Sequence, residues 1–203
     1  MRVKDMFLKN EVNLVIIFIT IFFLIPEKAY STLESKKKVL NHLSSLKYFS
    51  ASFLQNDGSN LSEGKVYIGE KRVRAEYFSP TKIVIILDED KAMYYNYELD
   101  EDEFFNPKKT NAWFFYDIFR NPDFFNDGSM ELKNNELILK KTGFDNDERS
   151  FLIKVYFEEN PMVLRAVEVH IDENFLKLSI FNHSYNEQFD KDFFKLINPK
   201  FLN

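Results

Sequence analysis

The spacing of apolar positions changes three times along this chain of 203 residues, and each change predicts a different element. Residues 14–25 are an unbroken apolar run apart from Thr20, and Pro26 ends it. Residues 32–46 predict an amphipathic helix, since four apolar side chains recur there at helical spacing: Val39, Leu40, Leu43 and Leu46. From Phe49 onwards apolar and polar residues alternate, which is the period of a β-strand.

The rest of the chain predicts a mainly β fold with one further helix. Turn signals such as Ser79-Pro80 and Asp127-Gly128 separate the runs, and the connections are too short for crossover helices, so the strands should be antiparallel. A helix is expected over 111–120, and weaker strands near Phe104 and Phe124 bring the total to about ten or eleven. The stronger strands are predicted at 49–54, 65–68, 72–78, 82–87, 92–97, 136–140, 151–157, 163–171 and 175–181.

Several predicted strands are apolar on both faces. Phe151 and Ile153 share one face of their strand, yet Leu152 and Tyr156 are on the other. A sheet with one face in water alternates more cleanly than this. The pattern fits either a curved sheet that encloses a cavity or an ordinary, well-packed core.

The amino terminus has the layout of a secretory signal peptide. A weakly basic start precedes the apolar run at 14–25, and Ala29 and Ser31 are the small residues of a cleavage site. The run is too short for a transmembrane anchor, which needs about 20 apolar residues. We therefore expect residues 1–31 to be a signal peptide and residues 32–203 to form a single domain in an extracytoplasmic compartment.

Composition and motifs exclude several function classes. The net charge of −5 gives no general attraction to nucleic acid. The chain has no cysteine, and its three histidines lack the spacing of a metal site, so no metal, cofactor or catalytic residue is predicted. The acidic runs 100–103 and 145–148 lack the pattern of an EF-hand and are expected to be solvated turns.

One basic cluster has two possible interpretations. Lys71, Arg72 and Arg74 lie close together in an acidic protein. They fit a charged outer face with cross-strand ion pairs, or a patch where an acidic partner docks.

Several short motifs, in order, resemble the LolA-type outer-membrane lipoprotein carrier proteins. The segment FSASFLQ at 49–55 is similar to the family's F-x-A-x-F-x-Q, and RAEYFSP at 74–80 is similar to R-(W/F)-E-Y-x-x-P. Similar segments are GKVYI at 64–68, IVIILD at 83–88, YYNYELD at 94–100 and the course from 172 to 199. The resemblance covers about residues 33–200.

The resemblance implies an incomplete, strongly curved antiparallel β-barrel, with the N-terminal and mid-chain helices as a lid. It also implies a monomeric periplasmic carrier that shields the acyl chains of lipoproteins. Its partners would be an inner-membrane ABC transporter of the LolCDE type and, in some lineages, an outer-membrane receptor of the LolB type. The family's lid-latch arginine has no exact counterpart, and Lys71 or Arg72 is the candidate substitute.

Two alternatives stay open beside the carrier. One is a lipid- or protein-binding envelope sensor on the same fold, and the other is a periplasmic enzyme for which no acid–base pair is nominated. We assign partner docking or lid contact to Lys71, Arg72 and Arg74. The expected cavity and lid residues are Phe53, Val66, Ile68, Val73, Tyr77, Ile85, Met93, Tyr95, Phe114 and Phe119.

Overall fold

The computed structural model describes residues 27–145 and 147–201, with side chains from residue 32 onwards. The chain divides into two compact units, Met1–Glu34 and Ser35–Asn203, and the described strands belong to the second. The apolar run and most of the predicted signal peptide lie outside the described residues. Helix α1 spans Glu27–Ser45, so the expected cleavage position at Ser31 is within helical backbone.

Helix α1 buries the apolar side that its spacing predicts. Val39 and Leu43 on the helix, and Leu46 just after it, are almost fully buried and belong to the main core. Lys36 donates to the backbone carbonyls of Asn126 and Gly128, which connects α1 to the segment after the second helix.

Within the described residues, eleven strands form one antiparallel sheet, as the sequence predicts. Their order is β6-β5-β4-β3-β2-β1-β11-β10-β9-β8-β7, so β6 and β7 are unpaired edges and the barrel is open. The strands are β1 (Phe49–Asn56), β2 (Leu61–Ile68), β3 (Val73–Ser79), β4 (Ile83–Leu87), β5 (Ala92–Asn96), β6 (Glu101–Phe105), β7 (Ser129–Lys133), β8 (Glu136–Phe144), β9 (Ser150–Glu158), β10 (Val163–Ile171) and β11 (Asn174–Ser184).

Between the two edge strands the chain leaves the sheet. A short 3-10 helix spans Pro107–Lys109, and helix α2 spans Ala112–Arg120, close to its predicted bounds. Two helices therefore pack with one face of the sheet, called here the inner face, and their buried side chains join those of the strands in one core.

Two local predictions are wrong. Phe124 is in a turn rather than a strand, because Phe124 and its neighbour Phe125 are both buried in the core, which an alternating strand does not allow. The acidic run at 100–103 is mostly strand, since Glu101–Phe105 forms β6. Exposed carboxylates on an edge strand discourage pairing with another chain.

A second, smaller apolar cluster lies on the outer face of the sheet. It consists of Val84 and Ile86 from β4 with Met93 and Tyr95 from β5, and Leu196 from the carboxyl-terminal segment packs on it. β4 and β5 are thus apolar on both faces, and the carboxyl-terminal segment, residues 185–201, covers part of their outer face.

Candidate functional site

An apolar cavity of about 240 Å³ lies between α2 and the inner face of the sheet. Its floor comes from strands β1 to β4 and β11, and its roof from α2. The lining residues are Phe53, Gln55, Val66, Val73, Ala75, Tyr77, Ile85, Leu87, Asn111, Ala112, Phe115, Phe119, Leu176, Leu178 and Ile180.

The cavity exists because small and large side chains alternate across it. On the sheet, Val66 pairs with Ala75, and Ala75 pairs with Ile85, so the short side chain of Ala75 leaves a depression in the middle of the floor. On the roof, Phe115 and Phe119 are four residues apart and share one face of α2. These rings reach down over the small floor residues without filling the space between them.

The other face of α2 is anchored in the core. Phe114 is fully buried, stacks on Trp113 at 3.9 Å between ring centroids, and meets Phe151 edge-on at 5.0 Å. Ile118 is also buried. The helix therefore has one face in the core and one over the cavity.

Three of the cavity's lining residues are polar: Gln55, Tyr77 and Asn111. The Tyr77 hydroxyl donates a hydrogen bond of 2.7 Å to Oε1 of Gln55. Burial raises the pKa of Tyr77 to about 12, so the phenol is neutral at physiological pH and remains a donor.

A polar cleft of about 610 Å³ adjoins the cavity and shares three lining residues with it, namely Asn111, Phe115 and Leu176. The rest of its wall comes from the β1–β2 turn, residues 57–60, from Val169 and Ile171 at the end of β10, and from residues 173–175. The cleft is thus the mouth of the cavity, at one rim of the sheet.

Exposed apolar side chains occupy the same rim. Leu61 begins β2, Phe78 is near the end of β3, Leu99 is in the β5–β6 turn and Phe144 ends β8. Each is more than half exposed to solvent. An apolar cavity, a polar mouth and apolar positions on its rim are features of a surface that receives an amphiphile.

Arg120 fastens the far end of α2. Its guanidinium donates to the backbone carbonyls of Leu46 at 2.6 Å and Gly69 at 2.7 Å, and more weakly to Glu70 at 3.2 Å. The carboxyl end of the roof helix is thereby connected to the end of α1 and to the β2–β3 turn. Burial lowers the pKa of Arg120, which stays charged.

The predicted site residues fall into three groups. Six line the cavity: Phe53, Val66, Val73, Tyr77, Ile85 and Phe119. Ile68 and Phe114 are buried in the core beside it. Met93 and Tyr95 belong instead to the outer cluster. The register pairs Met93 with the outward Ile86. Ala92 and Tyr94 are therefore the β5 residues that lie opposite the inward Leu87 and Ile85.

Sequence reasoning missed Gln55, Asn111 and Phe115 in the cavity, and Arg120 beside it. The spacing of Phe115 and Phe119 was the available signal for the roof, and a basic residue in the last turn of α2 was the signal for Arg120.

Arg72 and Arg74 of the predicted basic cluster each contact the carboxyl-terminal segment and a nearby carboxylate. Arg72 pairs with Asp88 at 2.6 Å and donates to the Phe194 carbonyl at 2.9 Å. Arg74 is buried, pairs with Glu76 and donates to the Phe193 carbonyl at 2.7 Å.

The Arg74 guanidinium also lies 4.5 Å from the centre of the Phe193 ring. Lys71 is exposed and lines a shallow depression beside Phe189 and Phe194. The contacts of Arg72 and Arg74 thus hold the carboxyl-terminal segment on the sheet, whereas Arg120 fastens α2.

Within residues 27–145 and 147–201, no group of three or more His, Asp or Glu side chains is arranged to hold a metal ion. In the same part of the chain, no helix has the length and apolar character needed to cross a membrane.

Comparison with known proteins finds distant structural similarity. No family model and no curated protein matches the sequence. The fold is similar to an uncharacterized conserved protein from Thermus thermophilus, at 10% identity and a TM-score of 0.49, over 77% of this chain and 96% of that one.

It is also similar to MucB, at 8% identity and a TM-score of 0.49, over 78% of this chain and 62% of that one. A MucA/MucB complex from Pseudomonas aeruginosa matches at 9% identity and a TM-score of 0.45, over 77% of this chain and 59% of that one. The chain thus spans less than two thirds of the MucB chains that it matches.

Proposed function

We propose that this protein binds acyl chains in its apolar cavity and carries acylated lipoproteins across the periplasm, without covalent chemistry. The observation that carries this proposal is the apolar cavity between α2 and the sheet, open through a polar mouth. The residues that resemble the LolA-type family, including Phe53 and Tyr77, are among those that line it.

Acyl chains supply the driving force for binding. Each CH₂ group removed from water contributes about 0.8 kcal/mol. The cavity, at about 240 Å³, is larger than the roughly 150 Å³ apolar cavities that bind benzene in engineered proteins. It therefore accepts part of an acyl chain as it stands, and longer or multiple chains require α2 to move away from the sheet.

Release must also be possible in a carrier. The roof is a helix of only nine residues, held by its core-facing rings and by Arg120. A short helix with one strong polar anchor can open without unfolding the sheet. The exposed apolar residues on the rim support hand-over at the mouth, to partners of the LolCDE and LolB types.

The alternative is a lipid- or protein-binding envelope sensor on the same fold. It uses the same mouth and rim but retains its ligand or partner rather than delivering it. Hand-over to an acceptor is the property that separates the two.

The test is native mass spectrometry of the chain recovered without detergent, before and after addition of a triacylated peptide. Leu178→Trp places a larger side chain in the cavity floor. Leu152→Trp, on the outer face of β9 and outside the cavity lining, is the matched control. We expect an acyl-peptide adduct in the wild type and in the control, and at least a tenfold weaker adduct in Leu178→Trp.

Three results would contradict the proposed carrier. A wild-type chain that gains no mass excludes acyl binding and favours a protein-binding module. Equal adducts in both tryptophan variants place the ligand outside the cavity. An adduct that never passes to a second acyl-binding acceptor favours the sensor.

A further inference from the structure

Two amide side chains are among the residues that line the mostly apolar cavity: Gln55 is half-buried, and Asn111 is exposed where the cavity meets its mouth. Gln55 is at the mouth end of β1, and Asn111 immediately precedes α2. Asn111 has the residue type and position of a helix cap, yet its side chain makes no capping hydrogen bond. Its amide is therefore available for another role.

Gln55 is oriented by its neighbour across the floor. The Tyr77 hydroxyl occupies Oε1 of Gln55 at 2.7 Å. An amide has one carbonyl acceptor and one NH₂ donor, on opposite arms. With the acceptor engaged, Gln55 presents the NH₂ group, and Nε2 has no hydrogen-bond partner among the described residues.

Asn111 is oriented in the same sense by a different residue. The Arg149 guanidinium donates to Oδ1 of Asn111 at 3.2 Å. Nδ2 of Asn111 has no partner in the described part of the chain. Two independent contacts therefore turn both carbonyls toward protein donors and leave two NH₂ donors in the lining of one cavity.

A ligand that displaces water from the two NH₂ groups must offer them hydrogen-bond acceptors, because a buried donor left unpaired costs about 1–3 kcal/mol. The acceptor must also suit the mouth, where Asp57 and Glu173 are located. Backbone hydrogen bonds from Asn60 and Ser59 lower the pKa of Asp57, so this carboxylate is ionised at neutral pH. The cationic Arg149 beside Asn111 is already paired with Asp145 and Asp147. Asp57 and Glu173 therefore repel a negatively charged acceptor, and they do not repel a neutral carbonyl.

We propose that Gln55 and Asn111 bind the carbonyl of an acyl ester or acyl amide, so that the cavity selects linked acyl chains over alkyl ethers and free fatty acids. This proposal rests on the proposed function, since the chain beyond the carbonyl occupies the apolar cavity. It adds that the two amide side chains recognise the ester or amide group by which the acyl chain is attached.

The test compares three ligands with twelve-carbon chains. 1-Lauroylglycerol has the ester carbonyl, 1-O-dodecylglycerol lacks only that oxygen, and laurate is the free acid. Each displaces the neutral dye N-phenyl-1-naphthylamine from the full chain, below its own aggregation concentration. We expect the ester to bind about threefold to tenfold more tightly than the ether, the range for one hydrogen bond, and laurate to bind most weakly.

Variants separate recognition from structure. Gln55→Leu should weaken binding of the ester relative to the ether and so reduce the wild-type ratio, whereas damage to the cavity would weaken both ligands equally. Asn111→Leu should reduce the same ratio without altering the floor. Gln188→Leu changes the chain's other glutamine, which is exposed and away from the cavity, and should preserve the wild-type ratio.

The outcomes distinguish this proposal from the one on which it rests. If none of the three ligands displaces the dye from the wild type, acyl binding itself is wrong. If ester and ether bind equally well to the wild type, the cavity binds chains but the carbonyl proposal is wrong. A ratio that survives both Gln55→Leu and Asn111→Leu also overturns it.

Discussion

Removing the Arg120 guanidinium should loosen the roof of the cavity more than it loosens the sheet. Its two short hydrogen bonds, 2.6 Å to the Leu46 carbonyl and 2.7 Å to the Gly69 carbonyl, have a charged donor. Such bonds contribute about 1.5–3 kcal/mol each, or about 3–6 kcal/mol together. Burial of the guanidinium opposes this gain, as the lowered pKa of Arg120 indicates.

We therefore expect Arg120→Met, which keeps the apolar stem, to lower the free energy of unfolding by about 2–3 kcal/mol. Arg120→Lys should be intermediate, because an ammonium cannot span both carbonyls in the fork geometry of arginine. Arg165→Met is the control. Its partner Glu158 is exposed, so the loss should be within about 0.5 kcal/mol.

Two measurements check this prediction. Urea unfolding gives the change in free energy, and amide hydrogen exchange shows where the chain opens. Amides of α2 should exchange faster in Arg120→Met, while those of the central strands β1 and β11 change only as far as global stability falls. Two results would refute the idea that Arg120 fastens the roof. One is an increase in amide exchange in α2 no greater than that in the central strands. The other is a loss of unfolding free energy no larger than that of Arg165→Met.

Two further predictions concern other parts of the molecule. Arg74→Leu should release the carboxyl-terminal segment, because it removes the hydrogen bond to the Phe193 carbonyl and leaves Glu76 without its ion-pair partner. Limited proteolysis should then cleave the chain after position 185 before the sheet unfolds. Cleavage there no faster than in the wild type would contradict this prediction. His42 has its pKa lowered by burial and by nearby His183, so its stabilising contribution is complete above pH of about 6.5 and is lost as pH falls toward the folded pKa. In His42→Phe, urea midpoints at pH 7.5 and 5.5 should differ less than in the wild type, and an undiminished difference would assign the effect to other groups.

The elements of this fold are largely local properties of the sequence. Alternating apolar residues predicted the long strands and their antiparallel arrangement, and helical spacing predicted α1 and α2. Each of these signals spans about fifteen residues or fewer. A period of two or of 3.6 residues can therefore be recognised without reference to the rest of the chain.

The inward face of a strand is not always a local property. β5 has apolar residues on both sides, so its period does not say whether Met93 and Tyr95 or Ala92 and Tyr94 point to the helices. Pairing with β4 decides it, and Leu196 then covers the outward pair. The carboxyl-terminal segment has no period of its own and could not be placed from sequence.

The candidate site depends on contacts between residues far apart in the chain. Gln55 and Asn111 line the same cavity only because α2 packs across the inner face. Tyr77 on β3 orients Gln55, and Arg149 before β9 orients Asn111. Arg120 meets Leu46 and Gly69 in the same way. Periodicity determines which faces are apolar. The closing of the chain on itself determines which polar groups lie between those faces, because hydrogen bonds form by distance in space and not by spacing in sequence.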